Sequence, residues 1–167
     1  MLELVSEQIP ESRTLLIDDE QIVTEGVEYC LTSTDILPIS NIQFESIDPT
    51  NLEIEDTAQR IVEFKPDILL LDYIYGDNCR FNGGNLISYL RYLQVPEIVQ
   101  NTIGFSSNIR IKEEMKLETF WLKKVRMQCN FHKYCHTRVL KDYYPSDNEA
   151  TEFKKFILEQ LAVRKIN

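Results

Sequence analysis

Pro66-Asp67-Ile68-Leu69-Leu70-Leu71-Asp72 is the stretch on which the fold turns. Four consecutive aliphatic residues, with a helix breaker before them and a carboxylate after, read as a short strand covered on both faces. This is the longest purely aliphatic run in the chain and is far too short to span a membrane. Similar signals recur on either side of it. Thr14-Leu15-Leu16-Ile17 reads as a first strand and runs directly into Asp18-Asp19-Glu20. Ile42-Gln43-Phe44 opens a second strand, nearer a sheet edge. Ile103-Gly104-Phe105 is a fourth strand, followed by Ser106 and Ser107, and residues 129–133 are a fifth, ending at Lys133. Amphipathic stretches alternate with these strands. The spacing predicts helices over 21–31, with Val23, Gly26, Val27 and Cys30 on one stripe, and over 51–64. A loop holding Gly76, Gly83 and Gly84 leads to a helix through Leu86, Ile87, Leu90 and Leu93, which Pro96 ends. Further helices are expected over 109–125 and 150–164. Five βα units in this order give an α/β fold with a parallel sheet.

Composition agrees with that class. The chain has 167 residues, 43% hydrophobic and 27% charged, as in ordinary globular proteins. The expected organisation is an N-terminal extension over 1–12 and one domain over 13–167. The opening Met1-Leu2-Glu3-Leu4-Val5-Ser6-Glu7 lacks the basic residues of an export signal, so a cytoplasmic protein with four reduced cysteines is expected. The net charge of −9 argues against non-specific contact with nucleic acid or anionic membrane. The charge is uneven. Residues 1–109 carry 5 basic and 19 acidic side chains, net −14, while 110–141 carry 9 and 3, net +6.

In a parallel α/β sheet, ligands bind beyond the carboxyl ends of the strands. The residues placed there are Asp18, Asp19 and Glu20 after the first strand, Asp72 after the third, Ser106 after the fourth and Lys133 at the fifth. Carboxylates gathered in this way repel one another by about 4 kcal/mol at 4 Å and an effective dielectric of 20. Mg²⁺ offsets that repulsion, since it takes oxygen ligands from one or two carboxylates and keeps waters and room for a phosphoryl group. A hydroxyl and an ammonium at neighbouring strand ends suit the oxygens of that phosphoryl group.

Leu15-Leu16-Ile17-Asp18-Asp19-Glu20, Lys65-Pro66-Asp67-Ile68-Leu69-Leu70-Leu71-Asp72, Ile103-Gly104-Phe105-Ser106-Ser107 and Phe131-His132-Lys133, in this order, resemble the response-regulator receiver domain of two-component signalling. The resemblance implies a flavodoxin-like fold with strand order 2-1-3-4-5. It implies that Asp72 accepts a phosphoryl group from a histidine kinase or phosphotransfer protein. Asp19 would be a direct Mg²⁺ ligand, Asp18 would help through water, and the Ile74 carbonyl would be a third protein ligand. Ser106 would be the switch hydroxyl and Lys133 the phosphate-contacting lysine. The expected molecule is a stand-alone, non-enzymatic phosphoacceptor with output by protein contact.

Tyr134 follows Lys133 where receivers usually have proline, and Asn130 stands at the usual aromatic position. Apolar Ile74, two residues after Asp72, suggests slow loss of the phosphoryl group. The alternative is a receiver-like adaptor that is never phosphorylated. A phosphohydrolase on a similar fold would want D-x-D after the first strand, which Asp18-Asp19-Glu20 does not supply. Cys129, His132, Cys135 and His136 form C-x2-H-x2-C-H, a spacing that fits no common zinc finger. On the 109–125 helix, Ile111, Met115, Leu122 and Val125 form one stripe, with Phe120 opposite it and Leu117 about 120° away. Ringed by Lys116, Lys123 and Lys124, these two would make a homodimer or effector face together with the following strand, or lie under expanded loops.

Overall fold

The structure is a computed structural model and describes residues 11–38, 41–72, 75–105 and 147–166. It contains β1 (Ser12–Ile17), α1 (Gln21–Thr32), β2 (Ile42–Ile47), α2 (Ile54–Phe64), β3 (Ile68–Asp72), α3 (Gly83–Tyr92), α4 (Pro96–Gln100), β4 (Thr102–Phe105) and α5 (Asp147–Ile166). The four strands form one sheet in the order β2-β1-β3-β4, and every pairing is parallel. This is the flavodoxin-like order that the receiver resemblance implies for the first four strands. The expected fifth strand over 129–133 and the helix over 109–125 lie outside the described residues.

Strand periodicity explains the layers, because successive side chains point to opposite faces of a sheet. Leu15, Ile17, Leu69 and Leu71 pack on one face with Ala58, Ile61 and Phe64 of α2, Leu86, Ile87 and Leu90 of α3, and Ile98 and Val99 of α4. Leu16, Ile68, Leu70 and Ile103 pack on the other with Val23, Val27, Cys30 and Leu31 of α1, and Phe153, Ile157 and Leu161 of α5. Ile68 to Leu71 are all fully buried. Each such side chain contributes about 1.5–3 kcal/mol relative to exposure. The burial confirms that an unbroken aliphatic run belongs to a strand covered on both sides.

Three of the differences from expectation have a clear local reason. α2 begins at Ile54 rather than 51, because Asn51 has φ 62° and Asp48 accepts from the Thr50 N–H at 2.9 Å and its hydroxyl at 2.6 Å, making a turn. Gly83 and Gly84 belong to the first turn of α3 rather than to the loop. Asn82 and Asn85 cap each other there, Asn85 N–H to Asn82 Oδ1 at 2.7 Å and Asn82 N–H to Asn85 Oδ1 at 2.9 Å. Pro96 starts a helix instead of merely ending one. Gln94, at φ 60°, turns the chain out of α3, and proline at the first position of α4 has no N–H to leave unpaired.

Candidate functional site: three carboxylates at the carboxyl ends of β1 and β3

The site follows from register. β1 and β3 are neighbours, with Ile17 opposite Leu71, so Asp18 and Asp72 leave the sheet at the same level. One carboxylate oxygen from each of Asp18, Asp19 and Asp72 lies within 4.8 Å of the others. Asp18 is 3% exposed, and Asp19 and Asp72 are half-buried. The three acids placed together by sequence reasoning are therefore together in space. Ile74, Ser106, Lys133, the Cys129/His132/Cys135/His136 group and the basic island over 110–141 lie outside the described residues.

Backbone donors hold the first two carboxylates. The Glu20 N–H donates to Asp18 Oδ1 at 2.8 Å, an Asx turn that leads into α1. The Gly76 N–H donates to Asp19 Oδ2 at 2.7 Å, tying the loop after β3 to the end of β1. Glycine fits here because a Cβ at position 76 would stand 2.9 Å from that oxygen. The same loop is sewn to the one after β2. Asn51 N–H donates to Asn78 O at 3.0 Å, and Thr50 Oγ1 lies 3.9 Å from Cys79 Sγ.

Burial and like charge act together on the cluster. Burial pushes the Asp18 carboxyl up to about 7 against the lowering effect of the Glu20 N–H, and the charges of Asp19, Glu20 and Asp48 push the same way as burial. Burial also raises the Tyr75 hydroxyl, with Asp72, Asp18, Cys79 and Asp19 adding to it, and it raises the Cys79 thiol. Tyr75 Oη is buried and has no hydrogen-bond partner among the described residues. A hard divalent cation fits this donor set. It would offset the like charges that add to burial in raising Asp18, and all the offered ligands are oxygens. Asp18, Asp19 and Asp72 would hold it.

No protein-family profile matches the chain, and no curated protein matches its sequence. Solved structures do match. The two-component transcriptional regulator AraC from Clostridium phytofermentans ISDg superposes with a TM-score of 0.52 at 16% identity, over 93% of this chain and 98% of that one. This chain has a receiver-like fold. The anti-anti-sigma factor PhyR from Bartonella quintana aligns at 15% identity over 99% of this chain and 55% of its own, with a TM-score of 0.44. At such identities the likeness concerns fold. Among the described residues of this receiver-like chain, no helix is long and apolar enough to cross a membrane.

Two features of the receiver-like core escaped the sequence reading. Tyr75 reads as one more loop aromatic, and nothing local marks its hydroxyl as orphaned. Lys154 stands on the buried stripe of α5 at 2% exposure. Its Nζ donates to the carbonyls of Ile36 and, at 3.5 Å, Ser33, just beyond the end of α1. The signal for Lys154 was its place at i+4 from Ala150, i+1 from Phe153 and i−3 from Ile157, within an apolar helical stripe.

Proposed function

We propose that the protein is a phosphoacceptor of a two-component phosphorelay, phosphorylated on Asp72 in a Mg²⁺-dependent way, with output by protein contact. The observation that carries this reading is the cluster itself: Asp18, Asp19 and Asp72 gather oxygens within 4.8 Å at the carboxyl ends of adjacent strands in a receiver-like fold. A histidine kinase or phosphotransfer protein is the phosphoryl source, and the protein is not itself an enzyme with a turned-over substrate.

The chain's own residues carry the step. An Asp72 carboxylate oxygen attacks phosphorus, a P–O bond forms, and the P–N bond to the donor histidine breaks as the imidazole nitrogen takes a proton. Bound Mg²⁺ supplies charge neutralisation for the crowded oxygens. Asp19, fixed by the Gly76 N–H, and Asp18, fixed by the Glu20 N–H, orient the cation's ligand oxygens. Ser106 and Lys133 serve as the switch hydroxyl and the phosphate-contacting lysine, the Ile74 carbonyl completes the protein ligands, and the setting is cytoplasmic.

Intact mass after incubation with Mg²⁺ and a small-molecule phosphodonor tests the reading. The expected result is one added phosphoryl group in the wild type, none in Asp72→Asn and none when Mg²⁺ is chelated. A folded wild-type protein that gains no mass with any donor overturns it and leaves the unphosphorylated adaptor.

A further inference from the structure

Pro49-Thr50-Asn51-Leu52, between β2 and α2, is a four-residue turn closed by the Leu52 N–H on the Pro49 carbonyl at 3.1 Å. Asn51, its third residue, has φ 62°, while Thr50, its second, stays out of the left-handed region. That combination is a type II turn, whose third position suits glycine or asparagine. Types I and II share the closing bond and differ by a flip of the central peptide. Here that peptide carries the Asn51 N–H, so the left-handed backbone decides which way the donor points. Asp48 steadies the entry, accepting from the Thr50 N–H at 2.9 Å.

The donor reaches the loop after β3, where the Asn78 carbonyl accepts it at 3.0 Å. Residues 76–79 of that loop form a turn of their own, closed by the Cys79 N–H on the Gly76 carbonyl at 3.0 Å. Gly76 then gives its N–H to Asp19 Oδ2 at 2.7 Å. Three hydrogen bonds thus connect position 51 to a carboxylate of the cluster, and every donor and acceptor before Asp19 is backbone. Both sides of the tie are anchored. Leu52 and Cys79 pack against the same apolar cluster, and Arg80 pairs with Glu53. Asn51 is exposed, so its part in the tie belongs to its backbone.

We propose that Asn51 is a positioning residue of the cation site, its left-handed backbone aiming the N–H that seats the loop after β3 so that Gly76 fixes Asp19. The inference rests on the reading of Asp18, Asp19 and Asp72 as a Mg²⁺ site and extends it to the turn after β2, a strand that does not adjoin β3. Coupling of this kind is reciprocal. A seated loop favours the cation, and a bound cation favours the seated loop.

The test is calorimetric titration of Mg²⁺ into the full chain, comparing wild type, Asn51→Val and Asn51→Gly, with urea unfolding of all three in the absence of divalent cation. A β-branched residue rejects positive φ, whereas glycine adopts it freely. Valine therefore flips the central peptide while leaving the closing bond of the turn in place. The expected Kd is about threefold weaker in Asn51→Val, because position 51 acts further out than groups that touch a metal ligand, whose removal commonly costs about 10–100-fold. Asn51→Gly should keep the wild-type Kd. Equal Kd values in all three overturn the proposal, because a turn that is only structural changes stability and leaves affinity alone. Equal losses in both variants also overturn it, because the backbone conformation is then not what matters. A second measurement needs no variant. In the wild type, saturation with Mg²⁺ should slow hydrogen exchange at the Asn51 and Gly76 amides together; slowing at Gly76 alone overturns the proposal. Phosphodonor treatment of the same samples separates the two readings. Mg²⁺ binding that depends on Asn51 without phosphorylation of Asp72 sinks the proposed function and leaves Asn51 in place. Phosphorylation with an Asn51-independent Kd does the reverse, and a wild type that binds no Mg²⁺ sinks both.

Discussion

At the carboxyl ends of β1 and β3, three carboxylates stand together with Asp18 raised to about 7, whereas between α5 and the end of α1 a single buried ammonium, Lys154, rests against backbone carbonyls. Both regions hold charge away from water. They differ in what answers it. Lys154 finds oxygens supplied by the fold itself, so its charge serves to hold α5 on the α1 layer, even though burial lowers its pKa. At the carboxylates the Glu20 N–H reaches Asp18 and the Gly76 N–H reaches Asp19, while like charges stand beside them. Buried charge that the protein satisfies internally is architecture. Like charges gathered at the end of a sheet suit a ligand of opposite sign.

The sharpest way to break this contrast is at Lys154. Lys154→Met keeps most of the side-chain volume but leaves the Ile36 and Ser33 carbonyls without their donor. The expected loss is about 2–4 kcal/mol in urea unfolding, with Mg²⁺ affinity unchanged. A neutral result would mean that the ammonium is not needed to hold α5.

The acidic end should respond in the opposite direction. Asp18 has its pKa raised from 3.8 to about 7 in the fold. The folded protein therefore holds this proton more tightly than the unfolded chain. The stabilisation is complete below about pH 4 and is lost as pH climbs through 7. Asp18→Asn keeps the acceptor for the Glu20 N–H and removes the charge. It should stabilise the metal-free protein at pH 8 by on the order of 2 kcal/mol, flatten the stability profile between pH 4 and 7, and weaken Mg²⁺ binding. Thermal unfolding across pH with a chelator present reads all but the last. A profile with the same slope in both proteins would remove Asp18 as the source of the pH dependence.

Gly76→Ala is the smallest of these perturbations. The added Cβ, 2.9 Å from Asp19 Oδ2, displaces a flexible carboxylate and not a backbone. Stability should fall by about 1 kcal/mol or less, while Mg²⁺ affinity falls severalfold because Asp19 loses its orientation. Calorimetry showing an unchanged affinity would mean that Asp19 needs no such guide.

Much of this was legible residue by residue. The aliphatic runs at Leu15 to Ile17 and Ile68 to Leu71 announce covered strands, and the acids that follow them announce a site, because strand burial and strand termination are local properties. The stripe of Val23, Gly26, Val27 and Cys30 likewise reads directly as a buried helix face, as observed. Less legible were the start of α2, the role of Pro96 and the capping of α3 by Asn82. The first two depended on a backbone turn, at Asn51 or Gln94, and the third on a side-chain exchange between Asn82 and Asn85, none of which helical periodicity alone registers.

Sequence by itself determined that this chain builds alternating strands and helices and that carboxylates follow two of the most aliphatic strands. These facts depend on side-chain hydrophobicity and spacing within a few residues. Only the tertiary structure decided that β1 and β3 are adjacent with Ile17 level with Leu71, which brings residues 18 and 72 together across more than fifty positions of chain. It also decided that the Tyr75 hydroxyl is buried without a partner among the described residues and that Lys154 reaches the end of α1. Pairing register and the fate of a buried polar atom depend on neighbours distant in sequence, and no local pattern encodes them.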